Sequence, residues 1–181
     1  MKKVILLATI LSYVSITAFA QHEHGNHQKE IDKPVTGSGS RSAVTGASSK
    51  QQLSQMLSLY YNIKNALVSG DVTSASTNAA QFLRVVNTID FKVISEGNIQ
   101  ILSRDAGKLS NTKDLEQQRE LFAALSSNMV AIVKVLKPGN EPVHVQYCPM
   151  KKASWLSSEK QIRNPYYGSS MLTCGEVTET L

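Results

Sequence analysis

From Leu53 to Leu136 the apolar residues recur at spacings of three and four, in successive runs parted by short polar breaks. That period puts each run on one face of an α-helix, and a helix striped in this way must bury the stripe against another. The first run is Leu53, Met56, Leu57, Tyr60, Ile63 and Leu67. Ser69-Gly70 ends it, because glycine takes the left-handed C-cap conformation without steric cost. Asp71 reads as the N-cap of a second helix, striped by Val72, Ala75, Ala79, Phe82, Leu83, Val86 and Ile89. The two-residue break implies an antiparallel helical hairpin. A third helix is less regular: Gly97 interrupts it, and Ile99, Leu102, Ala106 and Leu109 then share a face. Asn111 or Thr112 caps the fourth, whose first turn holds Asp114 and Glu116 where acidic groups favour a helix N-terminus. Leu115, Gln118, Phe122, Leu125, Met129, Ile132, Val133 and Leu136 form its stripe, and Lys137-Pro138-Gly139 stops it. Met56, Met129 and Tyr60 fall on these stripes and are expected in the core, with Tyr61 at its boundary.

The fold class that follows is mainly α: an antiparallel up-down four-helix bundle, then a small loop-rich C-terminal Cys/Met segment with a short strand. The bundle with its C-terminal segment (143–177) is expected to fill 51–181. After Pro142 the period becomes two. Val143, Val145 and Tyr147 alternate with His144, Gln146 and Cys148, so the latter three share a strand face. Pro149 holds Cys148 in an extended conformation. Asn164-Pro165 and Gly168 mark tight turns beyond.

Ahead of the stripes, Met1-Lys2-Lys3 is a basic start, Val4 to Ala18 is mostly apolar and Ala18-Phe19-Ala20 is a small-x-small cleavage pattern. Residues 1–20 therefore read as a secretory signal peptide, the apolar run being short of the about 20 residues that span a bilayer. The expected location is periplasmic or secreted, with no membrane span after cleavage. Residues 21–50 read as a flexible tail rich in Gly, Ser and Lys, with too little apolar surface to order itself. His22, His24 and His27 make that tail an auxiliary metal collector. Of the five net positive charges, Lys2 and Lys3 supply two, and the others form no basic stripe. Nucleic acid is excluded as a partner on that ground.

The chemistry is concentrated between His144 and Gly175. This stretch holds both cysteines, the only tryptophan, two of the five methionines and the one histidine outside the tail. Each cysteine has a methionine beside it, as Cys148-x-Met150 and Met171-x-x-Cys174. Thiolates and thioethers are soft ligands that select Cu(I) or Ag(I) over hard cations. His144 is a further candidate ligand. The competing reading is structural: paired cysteines in an oxidising compartment are a disulfide first. A Cys148–Cys174 bridge would contribute roughly 3 to 4 kcal/mol by restricting the unfolded chain. A methionine beside each cysteine favours metal, since a disulfide needs no thioethers. Zinc fits less well, because it rarely takes methionine, although Cys148, Cys174, His144 and Glu176 would suit it. An enzyme is not expected, for no phosphate loop, paired-carboxylate motif or zinc-hydrolase motif is present. Trp155, Tyr166 and Tyr167 are expected to pack the C-terminal segment onto the bundle.

The runs C-P-M at 148–150, W-L-S at 155–157, I-R-N-P-Y-Y-G at 162–168 and M-L-T-C-G at 171–175 resemble the exported family called domain of unknown function 3347. Y-Y-N-I-K-N-A-L at 60–67 and R-E-L-F-A-A-L-S at 119–126 are similar to its helical part. The resemblance runs from about Leu53 to Val177. Members occur as small exported proteins and as C-terminal extensions of periplasmic adaptors of heavy-metal efflux systems, copper and silver among them. The resemblance thus implies metal handling, with Cys148, Met150, Met171 and Cys174 as the matching sulfur residues. It also implies a metal ion and a periplasmic efflux adaptor or metal chaperone as partners.

Overall fold

The computed structural model describes residues 41–136 and 141–181, with side chains from residue 48 onward. The signal-like segment, His22, His24, His27 and the Lys137-Pro138-Gly139 stop lie outside the described residues. Four helices come first: α1 (Arg41–Ser69), α2 (Val72–Val86), α3 (Glu96–Asn111) and α4 (Leu115–Leu136). Three short strands follow, β1 (His144–Cys148), β2 (Ala153–Ser157) and β3 (Glu176–Thr180), with a 3-10 turn at Gly168–Met171 before the last. The protein is mainly helical, with a small antiparallel sheet.

The apolar stripes become the core. Met56, Tyr60, Ile63 and Leu67 of α1 are buried, as are Ala75, Ala79, Phe82 and Val86 of α2. Leu102, Ala106 and Leu109 of α3 and Phe122, Leu125 and Met129 of α4 complete it. Successive helices pack on one another, α1 on α2, α2 on α3 and α3 on α4. Tyr61 is half-buried.

Helix ends follow local chemistry, with three departures from expectation. At the first connection Asp71 N–H donates to Ala66 O at 2.8 Å, and the Asp71 carboxylate accepts from Ser74 N at 2.8 Å. The first departure is that α1 begins at Arg41, so residues 41–50 are helix rather than tail. Extending a helix from a packed stretch is cheap, since each added residue gains a bond without a new nucleus. Secondly, α3 starts at Glu96 with Ser95 as its cap, and Gly97 lies in its first turn instead of interrupting it. Thirdly, Asp114, not Asn111 or Thr112, caps α4, accepting from Gln117 N at 2.7 Å.

The sheet has the order β2-β1-β3. In the β1–β2 hairpin His144 faces Ser157, Gln146 faces Trp155 and Cys148 faces Ala153. Three strands stand where one was expected. The sequence of β3, E-V-T-E-T, has only Val177 as an apolar residue and is mostly exposed, so backbone pairing rather than burial makes it a strand. The sheet sits on the helices through β2 and α4. Leu156 N–H donates to the buried Tyr60 hydroxyl at 3.1 Å, and that hydroxyl lies 2.7 Å from Ser126 Oγ on α4. Tyr60 stacks on Phe122 at 5.2 Å, Phe122 meets Tyr166 at 6.1 Å, and Tyr166 meets Trp155 edge-on at 5.8 Å. Trp155 and Tyr166 are buried and Tyr167 is half-buried, as anchors of this region should be. No helix among the described residues is long and apolar enough to cross a membrane.

Candidate functional site

Cys148 is the last residue of the central strand β1, and Cys174 stands just before β3. Strand pairing places Tyr147 opposite Glu176, which brings the two cysteines side by side. Their Sγ atoms are 3.9 Å apart. Both are thiols, Cys148 fully buried and Cys174 half-buried. Lys151 N–H points at Cys148 Sγ from 3.4 Å, because the hairpin turn folds back so that Lys152 N–H donates to Cys148 O at 2.8 Å. Lys152 takes a left-handed φ of 56° to close that turn. Partial burial and then the neighbouring Cys148 thiol push the Cys174 thiol above its ordinary value.

Asn164 fixes the chain around Cys174. Its side chain is wholly buried; Nδ2 donates to Cys174 O at 2.8 Å and Oδ1 accepts from Tyr166 N at 2.8 Å. Its backbone N–H donates to Leu172 O at 2.8 Å and its carbonyl accepts from Gly168 N at 3.0 Å. The N-P-Y-Y-G run is therefore a clamp on the loop that carries Cys174. Gly168, at φ 55°, ends the clamp against α1, where an added Cβ would stand 2.9 Å from Val68 O. Gly175, at φ 145°, is hemmed in by β1 and β2: an added Cβ would lie 2.8 Å from Tyr147 O and 3.0 Å from the Trp155 ring. Only glycine lets the chain after Cys174 pass this near to β1.

The aromatic wall is built from the same residues. Tyr166 Oη donates to Ser154 O at 2.7 Å, and burial holds its phenol well above the usual range, with the nearby Cys148 sulfur adding to the effect. Trp155 is fully buried, and its indole N–H has no partner among the described residues. On the Trp155 side of the sheet Gln146 is also buried, donating to the carbonyls of Glu159 (2.8 Å), Lys160 (3.3 Å) and Gln161 (3.2 Å).

The sequence-predicted ligands divide in two. Cys148 and Cys174 are brought together. His144 is not brought to them: four residues along a strand put its Cα about 13 Å from that of Cys148. Its ring instead meets Thr180 Oγ1 at 2.9 Å. Met150, in the hairpin turn, is 63% exposed, and Met171, at the end of the 3-10 turn, is 39% exposed. Cys174 N–H donates to Met171 O at 3.1 Å, so that methionine adjoins the pair through the backbone. Among the described residues no three His, Cys, Asp or Glu side chains group as metal ligands, so the four-ligand set suited to zinc is not assembled. Asn164, Gln146, Gly175 and Arg119 were missed as site-forming residues. Arg119 Nη2 donates to Leu67 O at 3.0 Å beside Gly168. Asn164-Pro165 signalled a turn, but nothing in the sequence signalled that the Asn side chain is buried.

Residues 56–141 match the family model described as protein of unknown function (DUF3347). Over that stretch the chain belongs to this family. No curated protein and no solved structure matches it. The DUF3347 match holds α2, α3, α4 and the C-terminal half of α1, and it stops before β1. The cysteine pair lies beyond it.

Proposed function

We propose that this DUF3347 protein is an exported binding or delivery protein for a soft metal ion, Cu(I) or Ag(I), linked to heavy-metal efflux or homeostasis. The observation that carries this reading is the pair of cysteine sulfurs 3.9 Å apart. With metal–sulfur bonds of about 2.3 Å, that separation corresponds to an S–metal–S angle of about 115°, which leaves room for a third ligand. Each thiol gives up its proton to bind, so uptake releases up to two protons and affinity rises with pH. Met150 and Met171 are the thioethers at hand to tune the site, and His22, His24 and His27 are the auxiliary collector. The signal-like start supports export, and short connections between the helices support an up-down bundle as the scaffold. A periplasmic efflux adaptor or a metal chaperone is the partner in this reading.

One observation favours the alternative, a disulfide-stapled structural domain: both methionines are exposed rather than turned into a closed site. Thiol counting on protein isolated from its own compartment, followed by anaerobic titration with Ag(I), separates the two. Metal binding requires two free thiols and uptake of about one ion, lost in the Cys148→Ser, Cys174→Ser double variant while helical circular dichroism stays. A stable disulfide, with no uptake after reduction, would establish the structural reading. Retained uptake by the double variant would move the site to the histidine tail.

A further inference from the structure

The two thiols are unequal, and the inequality has a direction. Cys148 belongs to the central strand, hydrogen-bonded on one side to β2 and on the other to β3, and is fully buried. Lys151 N–H covers its sulfur from the turn. Cys174 lies in irregular chain between the 3-10 turn and β3, and its side chain reaches solvent. Large apolar side chains are exposed at five places among the described residues, and three of them, Met150, Met171 and Leu172, are within three residues of one of the two cysteines. Two of those three are thioethers. An incoming soft ligand therefore meets Cys174 before it can reach Cys148, and the exposed thioethers of Met150 and Met171 are the soft donors nearest the pair in the chain.

We propose that an ion held by the pair enters and leaves through Cys174, with Cys148 as the retained ligand and Met150 and Met171 as outer ligands during the exchange. The proposal rests on the metal-binding reading above. Exchange is then associative: a new sulfur bond forms at the ion before the Cys174 bond breaks, and the thiolate released takes up a proton from solvent. The ion keeps its charge throughout, so no oxidant or reductant is involved.

The test uses the full reduced protein under anaerobic conditions. In the metal-free form, iodoacetamide labelling followed by mass spectrometry should modify Cys174 about tenfold or more faster than Cys148, as exposure controls thiol access. In the Ag(I)-loaded form, transfer to excess dithiothreitol should speed up in proportion to its concentration. A Met150→Leu, Met171→Leu variant should slow that transfer about threefold or more, with a smaller change in equilibrium affinity, since Leu keeps the volume and removes the soft donor. Equal labelling of the two cysteines, faster labelling of Cys148, or transfer at the wild-type rate in the methionine variant would overturn this proposal alone. A reduced protein that takes up no Ag(I) would end both this proposal and the metal-binding reading.

Discussion

The helices and the C-terminal sheet are held in different ways. In the helices, position comes from periodic apolar burial: Met56, Phe82, Leu109 and Met129 find partners because each helix lies against its neighbour in sequence. Such a core tolerates volume-conserving exchange. In the sheet region, position comes from buried polar groups that each hold several backbone atoms. Gln146 ties three carbonyls, and the Asn164 residue makes four hydrogen bonds. A buried network of this kind is well specified when complete and costly when broken. The contrast teaches where a precise geometry is made. The helices supply a platform, and the polar clamp places Cys174 beside Cys148.

The hardest blow to the contrast falls on Phe122, which touches both regions. Phe122→Ala should cost about 3 to 5 kcal/mol in urea unfolding, with helical circular dichroism and Trp155 fluorescence lost in one transition. Two separate transitions would show that platform and sheet unfold independently. Asn164→Ala should cost about 2 to 4 kcal/mol, because it leaves the Cys174 carbonyl and the Tyr166 N–H unpaired. Amide exchange should speed up in residues 164–174 and stay unchanged in α2 and α3; a uniform increase would mean the clamp is no local device.

Lys64→Met sharpens the comparison from the helical side. Lys64 is buried on α1 with its amine 3.4 Å from Ser157 Oγ. Burial lowers its pKa, opposed in part by Glu159 and helped by Arg163. The unfolded chain then holds this proton to higher pH than the folded one. The folded state carries the penalty in full below the depressed value and loses it as pH rises to the ordinary lysine range. Lys64→Met should therefore raise stability by about 1 kcal/mol near neutral pH, a gain that fades in alkaline solution. A loss at neutral pH would show that the amine is a needed link between α1 and β2. The smallest effect belongs to Met150→Leu on stability, within about 0.5 kcal/mol, as expected for an exposed side chain.

The sequence was most legible where burial is periodic. The stripes of α2 and α4 could be read to within a residue or two because Phe82, Val86, Phe122 and Met129 have no other way to leave water. Caps were less legible, since Ser95 and Asp114 compete with equally good neighbours such as Thr112. In the C-terminal region Cys148 and Cys174 stood out by chemistry, and β1 by its alternation. The strands β2 and β3 did not, because A-S-W-L-S and E-V-T-E-T gain their state from pairing with β1. His144 was placed on the correct face, but a shared face was taken for proximity, and the rise of a strand separates it from Cys148.

The bond from Leu156 N–H to the Tyr60 hydroxyl joins residues 96 apart in the chain. Most other contacts of α1 are with α2, the next helix along. Contacts between sequence neighbours close quickly, whereas joining distant segments waits on a large loss of chain entropy. In refolding, helical signal should therefore return before the Leu156 amide becomes protected. During that interval the cysteines belong to a chain whose helices are formed but whose thiols are not yet paired in space. The order of events would let the protein complete its framework before it acquires a site.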